Sequence, residues 1–138
     1  DQSLRVWNLE SGELIRSLAI HLKPIGKIVV RPKHEGLPMI ASASDDRTIR
    51  LWQPTIGRMV RFARLPSRAR DVEWTHDGTR LVAACNDGSL YSVDPDTVQV
   101  EALGRVVEGW AYAIAIAKDD RSLVVGGSDG EPVAFELP

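Results

Sequence analysis

Residues 42–54 read SASDDRTIRLWQP, and residues 1–12 echo their second half as DQSLRVWNLESG. In both, an aspartate precedes a tryptophan by six positions: Asp46 and Trp52, Asp1 and Trp7. An acid and a large aromatic at one spacing, twice, is either a working site or a building rule, and extending the alignment decides between them. The frames DQSLRVW, DRTIRLW, DGSLYSV and DGEPVAF begin at Asp1, Asp46, Asp87 and Asp129, in steps of 45, 41 and 42 residues. Three of them are preceded by MIASASD, LVAACND and LVVGGSD, and further upstream by IGKIVVRPKHEG, ARDVEWTHDG and AYAIAIAKDD. Segments that recur in one order at one such period mark a repeat architecture, in which each unit buries apolar surface only by stacking on its neighbours.

Within a unit the runs are short, rich in Val, Ile, Leu and aromatics, and divided by Gly, Asp, Asn and Pro, which is the pattern of strands joined by turns. THDGTR is a tight-turn sequence with Gly78 free to take positive φ, and CNDGSL and SDGEP repeat that chemistry. The expected strands are 3–8, 13–19, 25–31, 39–44, 48–53, 58–64, 70–75, 80–85, 89–93, 98–103, 111–117, 122–127 and 132–137. EALGRVVEGWAYAIA is the one stretch with a helical aspect, and Gly104 and Gly109 interrupt it. The fold is therefore expected to be all-β. A lone four-stranded sheet cannot cover both its faces, whereas radial stacking of such sheets does, and that arrangement is a β-propeller.

The bulk composition permits a packed core and excludes several functions. Of 138 residues, 43% are apolar and 26% charged, with a formal net charge of −2. That balance argues against a surface built to attract nucleic acid. No apolar run reaches membrane-spanning length and no signal-peptide pattern opens the chain, so no membrane partner is expected. Cys85, the only cysteine, lies in the apolar run LVAAC and reads as a buried, inert thiol. The three histidines show no metal-ligand spacing, and VVGGSDG precedes a strand rather than the helix a phosphate loop needs. Glu35, Asp77, Asp119 and Asp120 read as solvated turn residues. No cofactor is expected.

HLKPIGKIVVRP and MIASASDDRTIRLWQP together resemble the WD-repeat (WD40) β-propeller family: a His, a spaced apolar strand, a small-residue strand, then TIRLW. Residues 1–54 match that pattern well, and the later units match in spacing more than in each residue. Trp7-Asn8, Trp52-Gln53, Val93-Asp94 and Phe135-Glu136 stand where the family has Trp-Asp. The resemblance implies a hydrogen-bonded tetrad of His21, Ser42, Asp46 and Trp52. A buried indole N–H needs an acceptor, and a hydroxyl, an imidazole and a carboxylate in series satisfy every member. The corresponding slots hold Leu65, Ala83, Asp87 and Val93, then Val125, Asp129 and Phe135, where apolar packing should replace the network and leave the turn Asp to bond local backbone. A hydrolase reading of Ser, His and Asp fails, because Ser42 is buried in that scheme and no nucleophile elbow or oxyanion site surrounds it.

The family closes its ring by letting an N-terminal strand complete the last blade. The chain starts between the second and third strands of a unit and stops at VAFELP after a third strand. The expectation is the C-terminal portion of a larger propeller, about three and a quarter blades in one partial domain over 1–138. It would comprise a half blade at 1–20, blades at 21–65 and 66–108, and a last blade at 109–138 without its outer strand, the missing blades coming from the rest of the chain or from oligomerisation.

In such a propeller the loops entering each blade share one face with its central turns. That face gathers Lys23, Pro24 and Gly26, then Arg68 and Arg70, then Trp110 and Tyr112, together with Asp45, Asn86 and Ser128 beside the turn aspartates. Arg, Trp and Tyr are the residue types of binding hot spots. Trp110 could equally cap a loop onto the core. GRMVRFARLPSRAR carries Arg58, Arg61, Arg64, Arg68 and Arg70 without an acid: a solvated outer strand, or a docking site for an acidic or phosphorylated partner. The expected function is a non-catalytic interaction scaffold for a protein or peptide. The alternative is a sensor or docking domain of a larger multidomain signalling enzyme. A cytoplasmic location is expected.

Overall fold

The computed structural model describes residues 1–138 as thirteen strands with no helix. β1 (Ser3–Trp7) and β2 (Leu14–Ala19) form a two-stranded sheet. β3 (Ile25–Val30), β4 (Ile40–Ser44), β5 (Thr48–Gln53) and β6 (Arg58–Arg64) form the first four-stranded sheet. β7 (Ala69–Trp74), β8 (Leu81–Cys85), β9 (Ser89–Val93) and β10 (Val100–Arg105) form the second. β11 (Ala111–Ile116), β12 (Ser122–Gly127) and β13 (Pro132–Glu136) form a three-stranded sheet. Strands consecutive in sequence are neighbours in every sheet and pair antiparallel. These are the blades of a partial propeller.

The strands lie where the sequence places them to within a residue at each end, except β10, expected at 98–103 and found at Val100–Arg105. The preceding turn is longer than its composition suggests. The Asp94 carboxylate accepts the N–H groups of Asp96 and Thr97 at 2.8 and 2.9 Å, and Val98, at φ 57°, returns its N–H to the Asp94 carbonyl. Asn8 builds the same turn between β1 and β2, with Gly12 at φ 72° in the place of Val98.

The β7–β10 sheet is the covered middle layer. From β8, Leu81, Ala83 and Cys85 pack with Ala41, Ile49, Leu51 and Leu65 of the β3–β6 blade. The intervening Val82 and Ala84 pack with Ile114, Ile116, Leu123 and Val125 of the β11–β13 blade. A strand with apolar neighbours on both faces reads as an unbroken apolar run, which is why LVAAC does not alternate. The β3–β6 blade is buried on both faces along β4 and β5, and only its first strand opens to solvent, at Ile28 and Val30; on the β11–β13 blade β12 exposes Val124. The first strands of successive blades are tied directly. The nearly buried Asp71 on β7 takes Lys27 Nζ of β3 at 2.9 Å and the Ile114 N–H of β11 at 3.0 Å.

The repeating aspartate has one job in all four units. Asp1, Asp46, Asp87 and Asp129 each accept the backbone N–H two residues on, at 2.9, 2.9, 3.0 and 3.4 Å. In three units the side chain four residues on also reaches back. Arg5 lies 2.8 Å from Asp1, Arg50 lies 3.9 Å from Asp46, and the Tyr91 hydroxyl donates to Asp87 at 2.6 Å. Asp87 thus bonds local backbone as expected and gains a further partner. Tyr91 supplies a side-chain donor, and that hydrogen bond, with burial, pushes its pKa up to about 12.

Candidate functional site

Where the blades turn from second to third strand, a backbone frame recurs. The N–H before each turn aspartate donates to the carbonyl that leads into its own blade: Asp45 to Pro24 at 3.0 Å, Asn86 to Arg68 at 2.9 Å, Ser128 to Trp110 at 2.9 Å. Just past that carbonyl each blade carries a bulge, between Ile25 and Lys27, Ala69 and Asp71, and Ala111 and Ala113. A bulge leaves its residue outside the ladder and re-aims the side chain. The residues so placed are Gly26, Arg70 and Tyr112.

Arg70 and Tyr112 meet across the blade boundary. The Arg70 guanidinium lies 5.2 Å from the centre of the Trp110 ring and 5.9 Å from that of Tyr112. The two rings stand edge to face at 5.8 Å. Arg70 Nε donates to Asn86 Oδ1, and Ser128 Oγ accepts the Trp110 N–H at 3.0 Å. Trp110 and Tyr112 are 46% and 44% exposed, so Trp110 does not cap the core. Arg68 Nη1 lies 3.2 Å from Asp45 Oδ2, each side chain about a third exposed. Asp45 is thus turned toward Arg68 rather than standing free for a partner. Lys23 is exposed on the same edge, and its carbonyl accepts the Ser44 hydroxyl at 3.0 Å.

Behind this edge lies the polar chain of the β3–β6 blade. Trp52, 1% exposed, donates its indole N–H to Ser42 Oγ at 2.8 Å. Ser42 Oγ is 2.7 Å from His21 Nε2, and His21 Nδ1 is 2.8 Å from Asp46 Oδ2. Proton bookkeeping fixes the tautomer. Ser42 accepts from Trp52 and has one proton to give, so His21 Nε2 accepts it and Nδ1–H donates to Asp46. A protonated His21 would leave the serine proton without an acceptor. Burial lowers the His21 pKa, outweighing the attraction of Asp46. Burial also works to raise the Asp46 pKa, but bonds from Thr48, His21 and the Leu22 N–H hold its carboxyl well below the usual range. Every member is paired, so the arrangement stabilises a blade and offers no free nucleophile.

The family model described as "WD domain, G-beta repeat" matches residues 12–53, the stretch that carries His21, Ser42, Asp46 and Trp52. Eukaryotic translation initiation factor 3 subunit I from Neurospora crassa is 27% identical over 99% of the chain, and that from Pyricularia oryzae 33%, each across 42% of the relative. Nuclear distribution protein nudF from Aspergillus niger is 25% identical over 99% of the chain and 31% of its own length. Residues 12–53 thus carry the WD-repeat signature, and the whole chain is similar to these relatives. It spans less than half the length of these relatives.

The WD-repeat frame also explains side chains outside the edge cluster. Val107, 3% exposed, stands four residues before β11 as His21 stands before β3, and fills the slot left open in the last unit. The five arginines of residues 58–70 do not form one patch, and a register shift between β5 and β6 interrupts their alternation. Arg58 and Arg64 are exposed, Arg61 bonds the Pro95 and Asp96 carbonyls of the next blade, and Arg68 and Arg70 join the edge cluster. On the opposite edge Asp120 is not the solvated turn residue its sequence suggests. It accepts the His76 N–H at 2.7 Å, the His76 ring at 2.9 Å and the Asp77 N–H at 2.9 Å, pinning two blades together. No group of three or more His, Cys, Asp or Glu is placed to hold a metal ion.

Proposed function

We propose that this chain is a non-catalytic interaction platform, and that the edge carrying Arg68, Arg70, Trp110 and Tyr112 receives a protein or peptide bearing a carboxylate or phosphate. One observation carries the reading. Arg70 is seated on two half-exposed aromatic rings, with its only internal hydrogen bond made through Nε, so the terminal nitrogens of the fork face outward. A guanidinium held by stacking and one hydrogen bond is already ordered for bidentate contact with an anion, and less freedom is lost on binding. The exposed rings add apolar contact around the charge, the combination found at interface hot spots. The relatives named as subunits of initiation factor 3, of the THO complex and of the GID complex support a protein partner for this chain too.

The test is an array of acidic and of Ser/Thr-phosphorylated peptides probed with the chain and with Arg70→Ala and Tyr112→Ala. Binding should be lost in both variants while their unfolding midpoints stay close to wild type, because Tyr112 is 44% exposed and Arg70, half-buried, makes a single internal hydrogen bond. Undiminished binding in both would overturn the site assignment.

A further inference from the structure

We propose that Ser67 is a phosphorylation site for a serine/threonine protein kinase that selects arginine three residues upstream, and that the phosphate regulates the edge by drawing Arg68 away from Asp45. The regulatory half rests on the docking reading above, whereas the modification itself does not.

Ser67 lies in the bend between β6 and β7. Both ends of this segment are fixed. Leu65 is 2% exposed and donates its N–H to the Arg47 carbonyl at 2.8 Å, and the Arg68 carbonyl accepts the Asn86 N–H at 2.9 Å. Between them Pro66 is exposed and Ser67 half-buried. The Ser67 hydroxyl makes no hydrogen bond within the protein, and no buried polar side-chain atom is left unpaired, so this oxygen is open to water. Most other hydroxyls near the central turns are committed: Ser42, Ser44, Thr48 and Ser128 all bond within the frame.

The charges around Ser67 point the same way. It is the only Ser or Thr in the chain with Arg or Lys three positions before it, namely Arg64. Arg64 is exposed at the end of β6 and has no acidic partner, so a carboxylate-lined kinase cleft can take it without breaking an existing pair. Arg47, exposed on the turn that pairs with Leu65, and Arg68 complete a basic surround in which Asp45 is the one acid in contact.

In the transfer, Ser67 Oγ attacks the γ-phosphorus of ATP, the new O–P bond forms as the bond to the ADP oxygen breaks, and the hydroxyl proton passes to the kinase's carboxylate base. The product adds a charge of about −1.5 to −2 at neutral pH and three strong acceptors. Arg68 is the adjacent residue, and its pair with Asp45 is a long one at 3.2 Å, with each side chain about a third exposed. A dianion next to it outcompetes the carboxylate for charge-assisted hydrogen bonds. Asp45 is then released as a bare negative charge beside the edge that Arg70 serves, and an acidic partner is repelled.

The experiment incubates the full chain with ATP and a purified kinase of arginine-at-minus-three selectivity, followed by intact mass and peptide mapping. One phosphate at Ser67 is expected, absent in Ser67→Ala and roughly tenfold slower to form in Arg64→Ala, since a charge-assisted contact to the kinase is lost. Incorporation elsewhere, or at Ser67 only in urea-unfolded chain, would overturn the assignment. Because the hydroxyl has no internal partner, Ser67→Ala should fold as wild type does. The regulatory half is read without any peptide from the Arg68 Nε–H resonance. A shift on phosphorylation is expected, and an unmoved resonance would refute the exchange of partners. If the array identifies no ligand for the unmodified chain, the docking reading fails and the Ser67 assignment stands on its own mapping.

Discussion

Replacing Ser42 by Ala tests the building rule more sharply than replacing the tryptophan, because it removes one oxygen and almost no volume. Ser42 is 0% exposed and its Oγ serves both Trp52 Nε1–H, at 2.8 Å, and His21 Nε2, at 2.7 Å. Without it a buried donor and a buried acceptor lose their partners together. Each orphaned group costs about 1–3 kcal/mol, so the variant should lose roughly 2–6 kcal/mol. The neighbouring blade is the internal control: Ala83 stands in the serine slot and Val93 in the tryptophan slot, both buried, with no polar group left over. Trp52→Phe in the Ser42→Ala background removes the orphaned indole N–H, so the double variant should be more stable than additivity predicts, by on the order of 1–2 kcal/mol. Urea unfolding followed by circular dichroism at constant m-value measures all corners of the cycle. A loss below about 1 kcal/mol for Ser42→Ala, or strict additivity in the cycle, would refute the reasoning.

Acid should destabilise the fold through the same network. His21 has its pKa lowered by burial, so below the ordinary value of 6.5 the unfolded chain binds a proton that the folded chain refuses. Stability is complete above that pH and falls on acidification, with Asp46 adding a further loss below about pH 4. His21→Gln should flatten the fall between pH 7 and 5.5, and an unchanged slope would contradict the neutral imidazole. Gly88→Ala should cost on the order of 2–4 kcal/mol: φ is 78° there, and the new Cβ would collide with the Val107 carbonyl oxygen. Cys85, whose thiol burial and then the Asp87 charge push up to about 12, should react with thiol reagents at pH 8 only in unfolded chain. Native-state labelling as fast as in urea would place it at the surface.

The strands, their order and the blade assembly were legible because each rests on local chemistry repeated at one period. Turn aspartates, glycines and alternating apolar runs fix the hairpins, and four copies of the same pattern leave one way to stack them. Residues 42–52 are explicit for a second reason, since a buried tryptophan demands an acceptor that the sequence also supplies. What escaped were pairings that depend on partners 16–47 residues away, such as Arg70 with Asn86, His76 with Asp120 and Arg31 with the Gly78 carbonyl. No local pattern encodes these. Tyr91 was readable in principle, because it holds the position of Arg5 and Arg50, four after the turn aspartate. That unit lacks the histidine, serine and tryptophan of the tetrad, and a tyrosine of another position takes over the carboxylate.

The division of labour at the edge follows from which atoms build it. The recurring contacts there, from Asp45 to Pro24, Asn86 to Arg68 and Ser128 to Trp110, join backbone to backbone. The bulges that follow them displace Gly26, Arg70 and Tyr112 from the ladder in the same way although the three side chains have nothing in common. A frame held by main-chain groups places no demand on the side chain it presents. Residues one step away, at Ala69 and Ala111, are buried at 6% and 0% exposure and both small, because neighbouring blades pack on them, whereas Ile25 in the same place on β3 is larger and half-buried. Substitutions at the bulged positions should therefore alter binding with little effect on stability, and substitutions at Ala69 or Ala111 should do the reverse. Introducing Leu at Ala111 should lower stability by about 1–3 kcal/mol through overpacking, whereas Tyr112→Leu, 44% exposed, should leave the unfolding midpoint nearly unmoved. Equal losses in the two variants would mean that the edge is fixed by its side chains after all.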